Sequence, residues 1–302
     1  MNVYLPIAEM SVNVFAILGL GGAAGVLSGM FGVGGGFLLT PLLIFIGVPP
    51  SVSVATSANQ IIASSVSGFV SHWRRNNVDF KMGWYLLTGG LIGSTLGVGL
   101  FRWLQQIGHV DLIISISYVT FLTLIGAMMA KESYHAIRKT AKKATLHYEW
   151  EFTKKLPYKV EFPQSNLNIS AILPLGIGFF VGIMVSLMGI GGGFFIVPAM
   201  IYILGMPTAM VIGTSLFQII FITANVTFLQ AITTQTVDIL LAFLLVIGAV
   251  VGAQVGIKIG AKLSGEYLRA MLAALVLGIA AKLAFGLFTP PTNVYSVSVI
   301  DE

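Results

Sequence analysis

Two glycine runs stand out, GVGGG at residues 32–36 and GIGGG at residues 189–193, each followed at once by a short apolar run opening on Phe37 or Phe194. Glycine permits the tight backbone angles of a helix break and a close approach of neighbouring backbone. A helix that starts after such a break presents unpaired N–H groups and about half a positive charge, which together favour an anion. The amides of Gly34, Gly35 and Gly36, and of Gly191, Gly192 and Gly193, are therefore candidates to hold a negatively charged ligand. The same glycines would equally serve close helix packing, so both readings stand at this level. Phosphate loops they are not, because no Lys-Ser or Lys-Thr follows either run. Downstream, TSANQ and TSLFQ repeat a second pattern: Thr56, Ser57 and Gln60 match Thr214, Ser215 and Gln218, with threonine and glutamine four apart on one helix face. Asn59 and Asn225 add further amides in the same segments. Such neutral donors can bind an anion without a buried cation, or can bond neighbouring helices together. Thr95 and Gln254 occupy matching positions inside Gly-xxx-Gly-xxx-Gly stretches and are secondary candidates; for those glycines helix packing is the plainer role.

Other chemistry finds no residues to carry it. The mid-span serines Ser57 and Ser215 have no histidine or lysine at comparable depth, so a serine nucleophile would lack its base. No cluster of His, Asp or Glu suggests a metal, no cofactor is implied, and an enzyme is not expected. Asp79 and Asp238 fall at the starts of apolar segments, where helix N-capping is the natural role. Arg102, Lys258 and Lys282 lie near span ends and can snorkel to an interface.

The elements that must position these residues follow from composition. Of 302 residues, 56% are hydrophobic and 9% charged, with a mean hydropathy of +0.93, which excludes a water-soluble globule. The net charge of +5 is concentrated in residues 131–170, which hold eight of the sixteen Lys and Arg, so it reads as membrane orientation and not as a nucleic-acid footprint. With no cysteine, disulfides and thiolate metal sites are excluded. The first residues lack a basic n-region, so no cleaved signal is expected.

Ten apolar segments, five on each side of residues 131–170, predict an all-α polytopic membrane protein. Its expected organisation is a first repeat at 1–130, a basic cytoplasmic linker at 131–170 and a second repeat at 171–302. The segments after the glycine runs, Phe37 to Val48 and Phe194 to Leu204, reach only about 18 Å as helices against a bilayer core of about 30 Å, so they are broken or re-entrant. The glycine blocks, the Thr-Ser-Gln blocks and a third block, Asp79 with Gly89, Gly93 and Gly97 against Asp238 with Gly248, Gly252 and Gly256, recur in one order. Basic residues flank opposite loops in the two copies: Arg74, Arg75 and Lys81 after the third segment of the first, Lys258, Lys262 and Arg269 after the fourth of the second. The copies are therefore expected to be inverted, with both termini extracytoplasmic. Five crossings per copy fit, as do three crossings plus a re-entrant hairpin. Inverted repeats with interrupted helices are a design of secondary transporters.

The paired GxGGG-then-Pro blocks, with their Thr-Ser-xx-Gln continuations and central basic loop, resemble the TauE/SafE sulfite-exporter family, also called the toluene sulfonate uptake permease family, from about Leu18 to Phe288. The resemblance implies an integral plasma-membrane carrier for small sulfur-containing anions such as sulfite, sulfoacetate or related sulfonates, with the glycine blocks, Gln60 and Gln218 at a central site. The expected partners are that anion and the lipid bilayer, with a proton as one coupling ion to consider. An anion-selective channel, or a carrier for another small anion such as a carboxylate, is the alternative.

Overall fold

A computed structural model describes residues 2–31, 36–138, 157–260 and 265–288. Among them are ten helices and two small hairpins. The first half holds β1 (Asn2–Leu5), β2 (Met10–Asn13), α1 (Val14–Phe31), α2 (Gly36–Phe45), α3 (Pro50–Trp73), α4 (Phe80–Gln106) and α5 (Val110–Arg138). The second holds β3 (Lys159–Phe162), β4 (Leu167–Ser170), α6 (Ile172–Met188), α7 (Gly193–Tyr202), α8 (Thr208–Thr233), α9 (Ile239–Gly260) and α10 (Gly265–Phe288). All ten apolar segments are helical. The protein is a polytopic all-α membrane protein, with five helices long and apolar enough to cross a bilayer by length and composition.

The central helix α3 is not one of those five, although it has 24 residues. Its apolar content is diluted by Ser53, Thr56, Ser57, Gln60 and Ser65, all buried. A helix walled in by protein need not be apolar all round, because its polar groups meet neighbours and not lipid. The outer helices carry the lipid-facing surface, as Phe15, Leu124, Phe243 and Phe285 show. Exposed Trp73, Trp84 and Trp103 sit near helix ends, where amphipathic rings favour a membrane interface.

Packing runs between the halves. The first helix of each half lies on the fourth of the other, α1 on α9 and α6 on α4; α3 lies on α8 and α5 on α10. Glycine permits the close approach of α1 to α9 and of α6 to α4. A Cβ on Gly252 would sit 2.1 Å from the Gly22 carbonyl oxygen, and one on Gly93 would sit 2.0 Å from that of Phe179. The Gly-xxx-Gly stretches are helix-packing faces, as their spacing suggested. Because backbone and not a flexible side chain is in the way, Gly252→Leu should cost at least about 3 kcal/mol. A thermal-unfolding scan of detergent-purified protein, set against Gly99→Leu at an exposed position where an added Cβ meets no atom within 4 Å, measures this.

Two capping nodes lock the halves reciprocally. Asp79 caps α4, its Oδ1 accepting from the Met82 amide at 3.0 Å; Asp238 caps α9, its Oδ1 accepting from the Leu241 amide at 3.0 Å. The Asp79 amide donates to Thr214 Oγ1 at 2.9 Å, and the Asp238 amide to Thr56 Oγ1 at 3.1 Å. Each carboxylate also holds a hairpin of the opposite half: Ser165 Oγ donates to Asp79 Oδ2 at 2.5 Å, and the Ile7 amide to Asp238 Oδ2 at 3.2 Å.

These bonds settle the course of the short helices. The start of α1 follows the hairpin at the Asp238 node, and α2 leads into the start of α3, whose Thr56 touches the same node. So α1 and α2 leave from and return to one end of the bundle, and α6 and α7 do the same at the Asp79 node. Each short helix thus pairs with the helix before it and returns to the end from which that pair started, as a re-entrant hairpin would. At ten residues each, α2 and α7 reach only about 15 Å, too short to cross.

Residues 159–170, inside the stretch read as linker, form the β3–β4 hairpin, and α5 continues to Arg138. The β3–β4 hairpin repeats β1–β2 in register, Phe162 facing Leu167 as Leu5 faces Met10. Val3 and Pro6 correspond to Val160 and Pro163 at the 157-residue separation that relates Gly32 to Gly189. The duplicated unit thus includes a hairpin that apolar periodicity alone does not reveal.

Candidate anion-binding site

The second glycine turn is built by three left-handed residues. Gly189 (φ 63°) ends α6, and Gly191 (φ 74°) and Gly192 (φ 75°) turn the chain into α7, which begins at Gly193. The turn lies in the interior, against α3: a Cβ on Gly189 would meet the Val54 carbonyl oxygen at 2.5 Å, and one on Gly191 would meet the Ile61 side chain at 2.6 Å. Val54 and Ile61 sit about 6 and 17 Å along a helix of about 36 Å, so the turn runs from just inside the α3 start to near its middle. Of the matching turn in the first half, Gly34 and Gly35 lie outside the described residues, and Gly36 opens α2.

Breaking a helix inside a bilayer frees carbonyl oxygens that need donors. Side chains from three helices supply them. Gln230 Nε2 donates to the Ser186 carbonyl at 3.0 Å, the Tyr118 hydroxyl donates to that of Met188, and Ser57 Oγ reaches that of Gly189 at 3.4 Å. Thr40 Oγ1 lies 2.7 Å from Ser57 Oγ and completes the buried set. Tyr118, Thr40 and Gln230 were not singled out from the sequence; their types are common in membrane helices, and only the fold brings them to the turn. Removing the hydroxyl in Tyr118→Phe leaves a buried carbonyl unpaired and should lower stability by about 1–3 kcal/mol, read as a drop in melting temperature.

The Ser186, Met188 and Gly189 carbonyls thus have donors within reach, and the amides of the turn are a separate matter. Among the described residues, the buried N–H groups of Ile190, Gly191, Gly192 and Gly193 have no hydrogen-bond acceptor. Gln60 and Gln218 are fully buried, and neither amide atom of either side chain has a partner among the described residues. Gln60 lies on α3 between Ser57, which reaches Gly189, and Ile61, against which Gly191 packs. Buried polar groups are ordinarily paired, so two glutamines that are not call for an absent partner.

The other sequence candidates have structural employment. Thr56 and Thr214 accept from the aspartate amides of the opposite half. Ser215 donates to the Ile212 carbonyl at 2.9 Å, and Asn59 to that of Thr56 at 3.4 Å. Asn225 Nδ2 bonds Ser94 Oγ at 3.0 Å and Thr95 Oγ1 at 3.2 Å, so this pair joins α8 to α4. Gln254 is exposed on α9, away from the buried set. A crevice of about 440 Å³ between α6 and α7, lined by Leu173, Ile177, Val181 and Phe195 among others, is apolar and offers an oxyanion nothing. Among the described residues no group of His, Asp or Glu is arranged to hold a metal.

Comparison with known proteins places this architecture. Residues 17–283 match the Sulfite exporter TauE/SafE family. Probable membrane transporter protein YjnA of Bacillus subtilis (strain 168) is 28% identical over 277 residues, 91% of this chain and 100% of that protein. Probable membrane transporter protein YunE of the same organism is 28% identical over 249 residues, 80% of this chain and 85% of that one. Sulfite exporter TauE/SafE family protein 3 of Arabidopsis thaliana is 35% identical over 108 residues, 34% of this chain and 23% of that protein. No solved structure matches. A duplicated helical architecture matched along nearly its whole length makes this chain a member of the Sulfite exporter TauE/SafE family of membrane transporters.

Proposed function

We propose that the protein is a secondary transporter that carries a small sulfur-containing oxyanion, of the sulfite, sulfoacetate or organosulfonate class, across the plasma membrane by alternating access between two inverted repeats. The observation that carries this reading is the combination of four unpartnered amide atoms on Gln60 and Gln218 with the acceptor-free amides of Ile190 to Gly193. The donors among these atoms, the two Nε2 groups and the turn amides, are buried in protein without a competing cation and come from both halves. The oxyanion supplies the acceptors they lack.

Inversion is supported by the reciprocal nodes. Thr56 and Thr214 make the same bond at opposite ends of the bundle, each to the other half's aspartate. In this reading the Asp79 node, beside Arg74, Arg75 and Lys81, faces the cytoplasm with residues 131–170, and the Asp238 node faces outward with the first hairpin. Opening toward one side then requires release of that side's node while the other holds.

The test is counterflow. Proteoliposomes loaded with unlabelled sulfite should take up labelled sulfite transiently against its gradient, with saturable kinetics. Flux that never saturates and shows no counterflow would identify a channel instead, and the same experiment with a carboxylate in place of sulfite separates the substrate classes.

A further inference from the structure

The two glutamines also restrict the charge state of what binds, an inference that rests on the function proposed above. Among the described residues, the buried polar side chains are hydroxyls, glutamine amides and two aspartates; no Lys, Arg or His is buried. The desolvation cost of an ion rises with the square of its charge in the Born picture, and neutral dipoles compensate it less fully than a paired countercharge does. A dianion is therefore penalised far more heavily here than a monoanion.

The second restriction comes from the acceptors. An amide carries an oxygen as well as an NH₂ group, and the Oε1 atoms of Gln60 and Gln218 are as unpartnered as their nitrogens. A fully deprotonated oxyanion has no hydrogen to offer these oxygens. A protonated one satisfies both sets, giving its O–H to a glutamine oxygen and accepting from the nitrogens and the turn amides through its charged oxygens.

We infer that, within the class proposed above, the site prefers a singly charged, still-protonated oxyanion of the hydrogensulfite type over sulfonates, which carry no proton, and over dianions, sulfoacetate at neutral pH among them. The titrating group is the ligand. The titratable groups around α3 and α8 have other tasks: Asp79 and Asp238 cap helices at opposite ends, and the Tyr118 hydroxyl is bonded to Met188. His72 lies in the last turn of α3, and Arg102 and Lys258 are exposed near the ends of α4 and α9.

Isothermal titration calorimetry on the detergent-purified full chain tests this with sulfite, sulfate and methanesulfonate, across the pH range in which hydrogensulfite loses its proton. The apparent Kd for total sulfite should rise as the hydrogensulfite fraction falls. Methanesulfonate, singly charged throughout, should show a Kd that does not change with pH. Sulfate should bind at least about 100-fold more weakly than hydrogensulfite. A sulfite Kd independent of pH, or sulfate as tight as sulfite, overturns the inference and leaves the transporter reading intact. A methanesulfonate Kd that moves in parallel with that of sulfite assigns the titration to the protein and overturns it as well. Binding of none of the three anions overturns the proposed site itself. Gln218→Lys, which supplies a cation, should narrow the sulfate gap by about tenfold or more; if that variant does not fold, the wild-type panel decides alone.

Discussion

Gln60→Leu and Gln218→Leu should each abolish or sharply weaken oxyanion binding while leaving the purified protein at least as stable to heat as the parent. The two effects have one cause. A buried amide without a partner costs about 1–3 kcal/mol in the empty protein, and an apolar side chain of similar size removes that cost. Each substitution is therefore expected to raise stability by about that amount, while a site lacking the amide loses affinity by roughly 10- to 100-fold. The measurement is a melting curve with and without sulfite: the parent should shift upward with ligand, and the variants should start higher and shift little. A leucine variant that melts well below the parent would assign these glutamines to structure. One that keeps the full ligand shift would remove them from the site.

The second large effect is expected at Gly189. Alanine there must adopt a left-handed φ of 63°, which costs about 1–2 kcal/mol, and must also push its Cβ to 2.5 Å from the Val54 carbonyl oxygen and 2.9 Å from the Val54 Cα. Since α3 cannot yield there without disturbing Ser57 and Thr56, Gly189→Ala should cost at least about 3 kcal/mol in all and eliminate ligand binding. Gly205→Ala isolates the backbone component: φ is 70°, no atom lies within 4 Å of its Cβ, and its cost should be only the 1–2 kcal/mol or so of the left-handed conformation. Equal melting temperatures for the two variants would show that the close approach to α3 contributes nothing. Gly191→Ala lies between these cases, because the atoms in its way belong to the Ile61 side chain, and Ile61→Ala in the same chain should recover part of the loss.

Much of this was legible in the residue order because membrane insertion acts on local composition. A run of apolar residues must become helical in lipid, where no water satisfies the backbone, so all ten helices could be placed before any packing was known. The duplication was equally plain, since three blocks recur in one order. What local pattern concealed was everything polar and outside lipid. The hairpins β1–β2 and β3–β4 are short, mixed in character and half-buried, so apolar periodicity marks neither, although Val3, Pro6, Val160 and Pro163 carry the repeat spacing.

The same division holds at the site. Residue types alone predict that a ligand at mid-depth would be met by backbone amides, hydroxyls and neutral side-chain amides, because the two buried aspartates among the described residues cap helices at the bundle ends. Which of them remain available was decided only by tertiary contacts. Thr56 and Gln60 are one helical turn apart and look equivalent as a pattern, yet the aspartate node of the other half engages the threonine and no described residue engages the glutamine. Hydrogen-bond partners drawn from segments more than a hundred residues away are invisible to spacing, so the folded chain, by pairing some donors and leaving others unpaired, is what separates scaffold from site.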